Sequence, residues 1–405
     1  MNLPFFLSRK LKFGGTTINA KVMQRIAVGT ILLSVLVMQI SFAVMHGFRH
    51  EVTSIVKNFN ADLVVQKLSY NSTLENLPIE NFPKITQELS KQPKIIRSFA
   101  LVTKPGIINT GKEIEGVVLR GINEDYDSTY FKRFILEGSF VRFAKAGTTK
   151  DIMISSYFAK RLMLKLGDRL PVYFMQDTVR VKQFVVCGIY ETGMEELDTK
   201  FALCDIRHLQ KVNYWSEINA SSILVQTQQN TDNDAIKDDI QNLLGNEYSA
   251  FTLAEVYPQL FDWLALVDTN ATIISALMLI VSCISMITVL LIVILDKTQT
   301  VGTLKALGLS NGKTIQLFWY KAARIILQGI FWGNIVFFIF AYLQSHFHLI
   351  QLPKKDYYVS AVPILINWTE VLMIDVTTLL LCIVCMLLPV QIITRISTVK
   401  VLKFN

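Results

Sequence analysis

Four long stretches of the chain contain no Asp, Glu, Lys or Arg. They cover residues 26–45, 269–295, 325–345 and 376–394, with lengths of 20, 27, 21 and 19 residues. Because an α-helix rises about 1.5 Å per residue, about 20 residues cross the roughly 30 Å hydrocarbon core of a bilayer. A buried helix of a soluble protein is usually shorter and has a polar face. The pattern therefore predicts four transmembrane helices.

Residues 46–268, between the first two spans, show short alternating and helical patterns instead. Strand patterns occur at 61–66, 97–103, 114–120, 170–175, 179–189, 200–204 and 222–226, and helical patterns at 79–91, 154–166 and 232–244. A turn is expected at 105–111, which begins with proline and ends with glycine. Helical periodicity at 48–59 and 253–267 predicts two stalks that lead to the spans. The predicted fold class is an α+β membrane protein with four transmembrane helices and a large extracytoplasmic α+β domain between helices 1 and 2.

The distribution of charge predicts the orientation of the spans. The chain of 405 residues is 51% hydrophobic, only 18% charged, and has a net charge of +8. Segments 1–25, 296–324 and 395–405 together carry 13 basic residues and one acidic residue, whereas 46–268 carries 25 basic and 28 acidic residues. Lys and Arg are enriched in the cytoplasmic loops of membrane proteins. Both termini and the 296–324 loop are therefore expected in the cytoplasm of a multi-pass membrane protein, with 46–268 and 346–375 on the outer side. The basic charge reports orientation and does not indicate nucleic-acid binding.

The segment before the first span combines apolar and basic residues, among them Leu3, Phe6 and Arg9. Such a mixture is typical of an amphipathic helix in the cytoplasmic interface, and a flexible basic tail explains it equally well. The first span is longer than the 7–15-residue apolar region of a signal peptide and is followed by no small-residue cleavage site. We interpret it as an uncleaved anchor.

Motifs for catalysis are weak throughout the sequence. Residues 308–314 resemble a phosphate-binding loop, but three residues separate the two glycines where four are needed, and the loop follows a helical pattern. His46, His50, His346 and His348 lie at the outer ends of the first and third spans, where we expect interfacial side chains and not metal ligands. The chain is therefore expected to be no enzyme and to bind no cofactor or metal itself. The spans also lack the charged groups of ion-coupled carriers, so the energy for any work is expected from a partner.

Five cysteines are distributed over the spans and the outer domain. Cys283, Cys382 and Cys385 lie in spans and are interpreted as apolar packing residues. Cys187 and Cys204 lie in strand patterns of the outer domain, where a disulfide and two unpaired thiols both stay open.

A short amphipathic pattern lies in the loop between the second and third spans. Val301, Leu304 and Leu307 or Gly308 follow helical spacing, Gly308 is placed to end the helix, and Ser310 to cap the next one. A helix of this kind fits a groove on a soluble protein or lies on the lipid surface. The periodicity favours neither alternative.

Residues 300–308 read TVGTLKALG. This segment resembles the coupling-helix signature of FtsX-like ABC permeases, E-I-(A/G)-x-L-(K/R)-x-(L/M)-G, with Thr300 in place of the family's Glu. The order of four spans with one large domain between the first two also matches that family. Residues 154–168 are similar to a further family motif, and residues 188–198 are similar to the lipoprotein-releasing (LolC/LolE) branch. The tail, residues 389–402, resembles the family's ending loosely.

The resemblance implies a permease subunit of an ABC transporter that extracts lipoproteins from the inner membrane. Two permease chains, identical or homologous, pair with two copies of a separate ATPase that holds ATP and Mg²⁺, and a periplasmic carrier receives the lipoprotein. The implied ATPase-coupling residues are Thr300, Val301, Gly302, Leu304, Lys305, Leu307 and Gly308. Acyl chains are expected to enter between the first two helices, where the candidate lipid or lipoprotein contacts are Val35, Met38, Gln39, Phe42, Met45, Phe48, Trp263, Leu264, Val267, Ile274 and Met278.

Other functions use the same architecture. A MacB-like permease transmits ATPase motion for efflux or export, and an FtsX-type permease regulates a cell-wall hydrolase, usually through a smaller outer domain. A membrane-anchored enzyme is disfavoured because no nucleophile and base pair is recognisable.

Overall fold

The computed structural model describes residues 18–68, 77–111, 113–126, 128–144, 147–175, 178–228, 231–353 and 357–389. The chain divides into two compact units. The first comprises Met1–His50, Trp263–Gln351 and Ala361–Asn405, and the second comprises Glu51–Asp262 and Leu352–Ser360. Most of the expected amphipathic N-terminus (residues 1–17) and the cytoplasmic tail (395–405) lie outside the described residues.

The described helices, in chain order, are α1 (Ile18–Asn60), α2 (Phe82–Leu89), α3 (Ser128–Phe131), α4 (Ser156–Arg161), α5 (Glu195–Asp198), α6 (Ile206–Val212), α7 (Asn233–Leu244), α8 (Leu253–Val256), α9 (Pro258–Asp296), α10 (Thr298–Ala306), α11 (Asn311–Phe347) and α12 (Trp368–Cys385). The strands are β1 (Leu63–Lys67), β2 (Ile95–Asn109), β3 (Ile114–Ile122), β4 (Ile135–Gly138), β5 (Asp151–Ser155), β6 (Arg169–Phe174), β7 (Arg180–Tyr190), β8 (Phe201–Asp205), β9 (Ser222–Thr227) and β10 (Tyr248–Thr252). A 3₁₀ turn, Lys132–Phe134, follows α3.

Among the described residues, four helices are long and apolar enough to cross a membrane. They are α1, α9, α11 and α12, the last of which reaches Pro389 in its apolar span. Their buried side chains form one continuous apolar cluster, to which each helix contributes, as with Ile31, Leu290, Phe318 and Cys382. These helices, together with the sheet of the second unit, confirm the predicted fold class.

The helix α12 begins earlier than the charge pattern predicts. Asn367 caps it through a hydrogen bond from the Thr369 amide to Asn367 Oδ1 at 3.2 Å. The helix therefore includes Glu370 and Asp375, which the sequence assigned to the loop 346–375. The expectation that the spans hold no charged residue is wrong at Asp375, because polar partners on neighbouring helices satisfy its carboxylate.

The described strands of the second unit form one sheet of ten strands. The strand order is β10-β1-β9-β2-β3-β8-β5-β7-β4, and β6 pairs with β2 and β7. One apolar cluster packs α4 and α6 against the β2, β3, β5 and β8 region through residues such as Phe158 and Leu209. A second cluster packs α2 and α7 against β1 and β9 through residues such as Leu89 and Ile240. The alternation of strands and short helices thus gives the α+β domain that the pattern predicts.

Two local predictions in this domain are wrong. Pro105 does not begin a turn but lies inside β2, opposite Val118 of β3. On its other edge, β2 pairs with β9 up to Leu101 and with β6 from Ile107, so Pro105 lies between these two ladders. Proline is tolerated at such an interval because its missing N–H costs no ladder hydrogen bond there.

The second wrong prediction is the single helix over residues 154–166. The segment is split into β5, which is buried along its whole length, and the six-residue helix α4, which Ser155 caps. A fully buried strand lacks alternation, and its apolar run is indistinguishable from part of a helix. Met163, at φ 53°, ends the segment in the left-handed region.

The helix α1 continues beyond the membrane-length segment to Asn60, as the periodicity at 48–59 predicts. On the other side of the domain, the expected continuous helix is interrupted. Tyr257 (φ −126°, ψ 60°) separates α8 from α9. The residue that precedes a proline is driven out of the helical region by the proline ring, and Pro258 starts the new helix.

Candidate functional site

The segment that resembles a coupling helix forms a separate short helix, α10. It follows α9 after a single residue, Lys297, whose ammonium pairs with Asp296 at 2.9 Å. Its end is set by Gly308, which has φ 92° and donates its amide to the Lys305 carbonyl at 3.0 Å. Only glycine adopts this left-handed conformation without a steric cost, so the predicted stop is confirmed. Ser310 occupies the N-cap position of α11, although its side chain makes no capping hydrogen bond.

The apolar positions of α10 do not form one exposed ridge. Val301 is 1% exposed and belongs to the apolar cluster of the four long helices, whereas Leu307 is 81% exposed. Leu304 is half-buried between these extremes. One end of the predicted ridge, at Val301, therefore packs inside the bundle. Only the other end, at Leu307, is accessible to a partner.

The remaining residues of the signature also divide into buried, half-buried and exposed positions. Gly302 is buried beside Val301, Thr300 and Lys305 are half-buried, and Gly308 is exposed. Gln299, Thr303 and Ala306 lie exposed on the outer face, which the signature does not emphasise. A partner that contacts α10 thus meets small and polar side chains around the single large apolar group of Leu307.

Most of the candidate lipid contacts are packed inside the first unit. Those that are buried are Val35, Met38, Gln39, Met45, Phe48 and Leu264. Those that are half-buried are Phe42, Trp263, Val267 and Met278. Ile274 alone of this set is exposed, at 38%. The members of the first group are therefore packed against protein in this conformation.

Two contacts join α1 and α9 where the candidate entrance was expected. The rings of Phe48 and Trp263 meet edge to face with centroids 6.1 Å apart. One residue further along α1, the Arg49 guanidinium pairs with the Asp268 carboxylate at 3.2 Å. The Arg49–Asp268 pair is partly exposed and is therefore cheap to break, whereas Phe48 is buried. Both contacts join α1 and α9 in this conformation.

Sequence reasoning missed a polar cluster inside the bundle. Asn334 of α11 donates a hydrogen bond from Nδ2 to Asp375 Oδ2 at 2.7 Å. Gln39 of α1 donates from Nε2 to Asn334 Oδ1 and, at 3.4 Å, to Asp375 Oδ1. Gln39 is 2% exposed, and its Oε1 has no hydrogen-bond partner among the described residues. The sequence shows the two amides, Gln39 in the first span and Asn334 in the third. It does not show that Asp375 joins them, because the charge pattern starts the fourth span only at residue 376.

A second polar pair lies on α1 and α12, seven residues after Gln39 and five before Asp375. His46 Nε2 and Glu370 Oε1 are 2.5 Å apart. At the outer end of α11, the His346 ring stacks on the Tyr342 ring at a centroid distance of 6.0 Å. Among the residues that the structure describes, no group of three or more His, Cys, Asp or Glu side chains is placed to hold a metal ion.

Two glycines let α11 approach α1 closely. A Cβ atom at Gly329 would lie 2.6 Å from Cβ of Ile31, and one at Gly333 would lie 3.2 Å from the Leu32 carbonyl and from Val35. Small residues four apart are a recurrent means of bringing membrane helices into backbone contact. The close approach places Asn334, which follows Gly333, within reach of Gln39.

The two cysteines of the outer domain are unpaired thiols in the structure. Strand β5 lies between β7, which carries Cys187, and β8, which carries Cys204. Two strand spacings separate the backbones by about 9–10 Å, beyond the roughly 7 Å limit for a disulfide. Burial raises the pKa of the Cys187 thiol to about 12, and it raises the pKa of the Cys204 thiol further above its ordinary value.

Comparison with known proteins covers nearly the whole chain. Residues 26–243 match the family model of the MacB-like periplasmic core domain, and residues 272–398 match that of the FtsX-like permease C-terminal region. The lipoprotein-releasing system transmembrane protein LolC of Xylella fastidiosa (strain Temecula1) is 20% identical over 392 residues, which are 93% of this chain and 92% of that protein. The corresponding protein LolE of Haemophilus influenzae is 21% identical over 428 residues, with 99% of each chain covered.

A solved structure resembles the outer domain. It is the periplasmic region of MacB from Actinobacillus actinomycetemcomitans, with 13% sequence identity and a TM-score of 0.36, covering 49% of this chain and 92% of that one. The first family model covers α1 and most of the sheet, and the second covers α9 to α12. The chain belongs to the FtsX-like family of ABC transporter permeases and carries a MacB-like periplasmic core domain.

Proposed function

We propose that this chain is the permease subunit of an ABC transporter that extracts lipoproteins from the inner membrane. The observation that carries the proposal is the extended similarity to relatives named as lipoprotein-releasing transmembrane proteins, over 93% to 99% of this chain. In this proposal both termini and α10 lie in the cytoplasm, as the basic residues of the flanking segments favour. The sheet domain lies in the periplasm.

The energy source in this proposal is a separate ATPase, which binds ATP and Mg²⁺ in two copies and docks on α10. Leu307 is the large apolar group that α10 offers to it. Val301 lies in the same apolar cluster as buried residues of α1, α9, α11 and α12. Because packed side chains are poorly compressible, displacement of α10 is passed directly to these four helices.

The second permease chain, identical or homologous, completes the transporter, and a periplasmic carrier receives the lipoprotein. Separation of α1 from α9 breaks the Phe48–Trp263 and Arg49–Asp268 contacts and uncovers the apolar side chains of the candidate contact set. Apolar helix faces of this kind suit acyl chains. The permease chain itself carries out no bond-breaking chemistry in this scheme.

The test is ATP-dependent release of a triacylated lipoprotein from proteoliposomes that contain the purified complex with its ATPase. The variant Leu307→Asp is expected to abolish both ATPase association and release, since it places a charge in an apolar contact. The matched control is Leu243→Asp on α7 of the outer domain, where Leu243 is 42% exposed, and release should persist there. Association of no ATPase with the wild-type chain, or labelling of α10 from the periplasmic side, contradicts the proposal.

Photocrosslinking then tests the cargo path. A photoreactive residue at the exposed Ile274 is expected to capture lipidated substrate in the resting state. The same probe at Val35, which is 0% exposed, should capture substrate only when the ATPase cycles. Export of an unlipidated peptide by the same complex, with no capture of lipoprotein at either position, would favour the efflux-type function instead.

A further inference from the structure

The two helices that border the outer domain end against one another within that domain. Asn60 is the last residue of α1, and Tyr257 immediately precedes α9. Asn60 donates a hydrogen bond from Nδ2 to Tyr257 Oη at 2.6 Å. The strands next to these positions, β1 and β10, are antiparallel neighbours, with Leu63 opposite Thr252.

A buried arginine from the middle of the sheet holds this junction. Arg120 of β3 is 2% exposed. It donates from one guanidinium nitrogen to Asn60 Oδ1 at 2.7 Å and from another to the Phe59 carbonyl at 2.9 Å. Its guanidinium also lies over the Phe59 ring, 4.5 Å from the centroid. We name the set Arg120, Phe59, Asn60 and Tyr257 the helix-end clamp.

The charge of Arg120 is balanced without an acid. Among the hydrogen bonds of Arg120 in the described part of the chain, the partners are an amide, a helix carbonyl and the Tyr257 hydroxyl. The carbonyl end of a helix carries partial negative charge, and aromatic faces attract a guanidinium. The second face is that of Phe201, at 5.2 Å from the ring centroid. The groups that stabilise the positive charge of Arg120 therefore belong mainly to the last residues of α1.

The clamp joins the helix ends to a strand in the interior of the sheet. In the strand order, β9 and β2 lie between β1 and β3. Other contacts also join the end of α1 to the sheet, among them the Phe59 ring, which packs against Phe201 of β8. Arg120 adds a charged, directional contact between the end of α1 and the central strand β3. A buried charge cannot follow a sliding partner without losing its hydrogen bonds, so the junction resists relative movement.

We propose that Arg120 is a positioning residue that makes α1 and α9 displace the whole sheet as one body. This inference rests on the proposed function, in which motion reaches the outer domain through these helices. Through the clamp, movements of α1 and α9 displace the outer domain as a single body. Its loss leaves ATP hydrolysis intact and reduces the work obtained from each ATP.

The test measures lipoprotein released per ATP hydrolysed by the full transporter. Arg120→Met keeps the buried volume and removes the hydrogen bonds, and Tyr257→Phe removes the hydroxyl that accepts from Asn60 and also bonds to Arg120. Both are expected to lower the ratio about fivefold or more, the usual lower range of coupling between sites, with ATPase activity unchanged. Arg120→Lys keeps the charge but loses the two-pronged geometry and should recover part of the ratio.

The control for a merely structural role is Leu209→Ala, which opens a cavity in the same domain on the opposite face of the sheet from Arg120, where Leu209 is 0% exposed. At an equal fall in melting temperature, this variant should keep the wild-type ratio. An unchanged ratio in Arg120→Met and Tyr257→Phe overturns the proposal, as does an equal fall in Leu209→Ala.

A second measurement separates this proposal from the proposed function. Amide hydrogen exchange of the full-length chain is followed at Asn60–Asp62 and at Tyr257–Leu260. Both clamp variants should accelerate exchange at the two segments together, and Leu209→Ala should not. If the wild-type complex hydrolyses ATP but releases no lipoprotein, the proposed function fails while the exchange data still decide whether the clamp exists. Unchanged exchange in both variants refutes the clamp.

Discussion

Asn334 of α11 donates a hydrogen bond to Asp375 of α12 at 2.7 Å. Intramembrane polar bonds of this kind stabilise helix association by about 0.6–2 kcal/mol. A carboxylate that loses its donor in such surroundings carries a desolvation cost, which the longer Gln39 bond at 3.4 Å offsets only in part. The pair therefore fixes α12 against α11 in one rotational setting.

Asn334→Leu is expected to destabilise the helix bundle by about 1–3 kcal/mol, because the buried acid keeps its polarity and loses a partner. Unfolding in detergent, followed by SDS titration, measures the change. The double variant Asn334→Leu/Asp375→Leu should recover much of the loss, since both polar groups are gone. Val336→Leu, at a half-exposed position on the same helix, serves as the control. A single variant as stable as the wild type would show that the bond contributes nothing.

Gly329→Ala is expected to push α11 away from α1 and to cost about 1–3 kcal/mol, as overpacking does in tight cores. The added Cβ would lie 2.6 Å from two atoms of the Ile31 side chain. Gly312→Ala, in the same helix, meets nothing within 4 Å and should be neutral or slightly stabilising. Thermal unfolding of the two purified variants compares them directly. Equal melting temperatures would mean that the helices are not in close contact at Gly329.

Val301 and Leu307 should respond in opposite ways to truncation. Val301→Ala removes a side chain that is 1% exposed and should lower the free energy of unfolding by about 1–3 kcal/mol. Leu307→Ala removes one that is 81% exposed and should change it by less than about 0.5 kcal/mol. Binding of the ATPase should weaken mainly in Leu307→Ala. The reverse ranking in a stability assay would place α10 outside the bundle.

Cys187 and Cys204 should both react with a thiol reagent after denaturation without reductant. Strand β5 separates the strands that carry them, so a bridge would require the sheet to open. Mass spectrometry of the alkylated protein counts the modified cysteines. In the folded protein, Cys187 should react slowly at neutral pH, because burial raises its pKa to about 12 and little thiolate is present. Detection of a Cys187–Cys204 peptide would contradict the strand order.

The outer domain should lose stability as the pH falls below about 6.5. His208 is 8% exposed and its Nε2 is 2.5 Å from the Thr149 carbonyl, and burial lowers its pKa below the ordinary value of 6.5. The unfolded chain takes up the proton first, so folding weakens from pH 6.5 down to the folded pKa and no further below it. His208→Gln should flatten this part of the curve. Urea unfolding at several pH values, read by a fluorophore on the domain, measures the slope.

The sequence was most informative where one physical requirement dominates. A bilayer demands about 20 predominantly apolar residues, and α1, α9 and α11 each contain an uncharged run of that length. It was misleading where a partner decides the outcome. The prediction placed Asp375 at the end of the loop because an unpaired acid is energetically costly in a membrane. In the structure Asp375 lies within α12, where Asn334 and Gln39 donate hydrogen bonds to its carboxylate. That compensation exists only in three dimensions.

The candidate site shows the same division. The sequence predicted the short helix and its stop at Gly308, since a local rule governs both. It did not predict that Val301 and Leu307 have opposite environments, because helical spacing alone does not reveal which side a bundle already occupies. The same limit applies to the candidate acyl contacts, of which Val35 and Met38 proved to be core residues.

The chain enters the outer domain through β1 and leaves it through β10, and these strands lie side by side in the sheet. A module whose entry and exit are adjacent can be inserted, deleted or exchanged without redirecting the host backbone. Recombination can therefore place different outer domains on one membrane framework, and each replacement needs only a matching pair of neighbouring ends. Diversification of the outer domain in such proteins is open to a modular route as well as to point substitution.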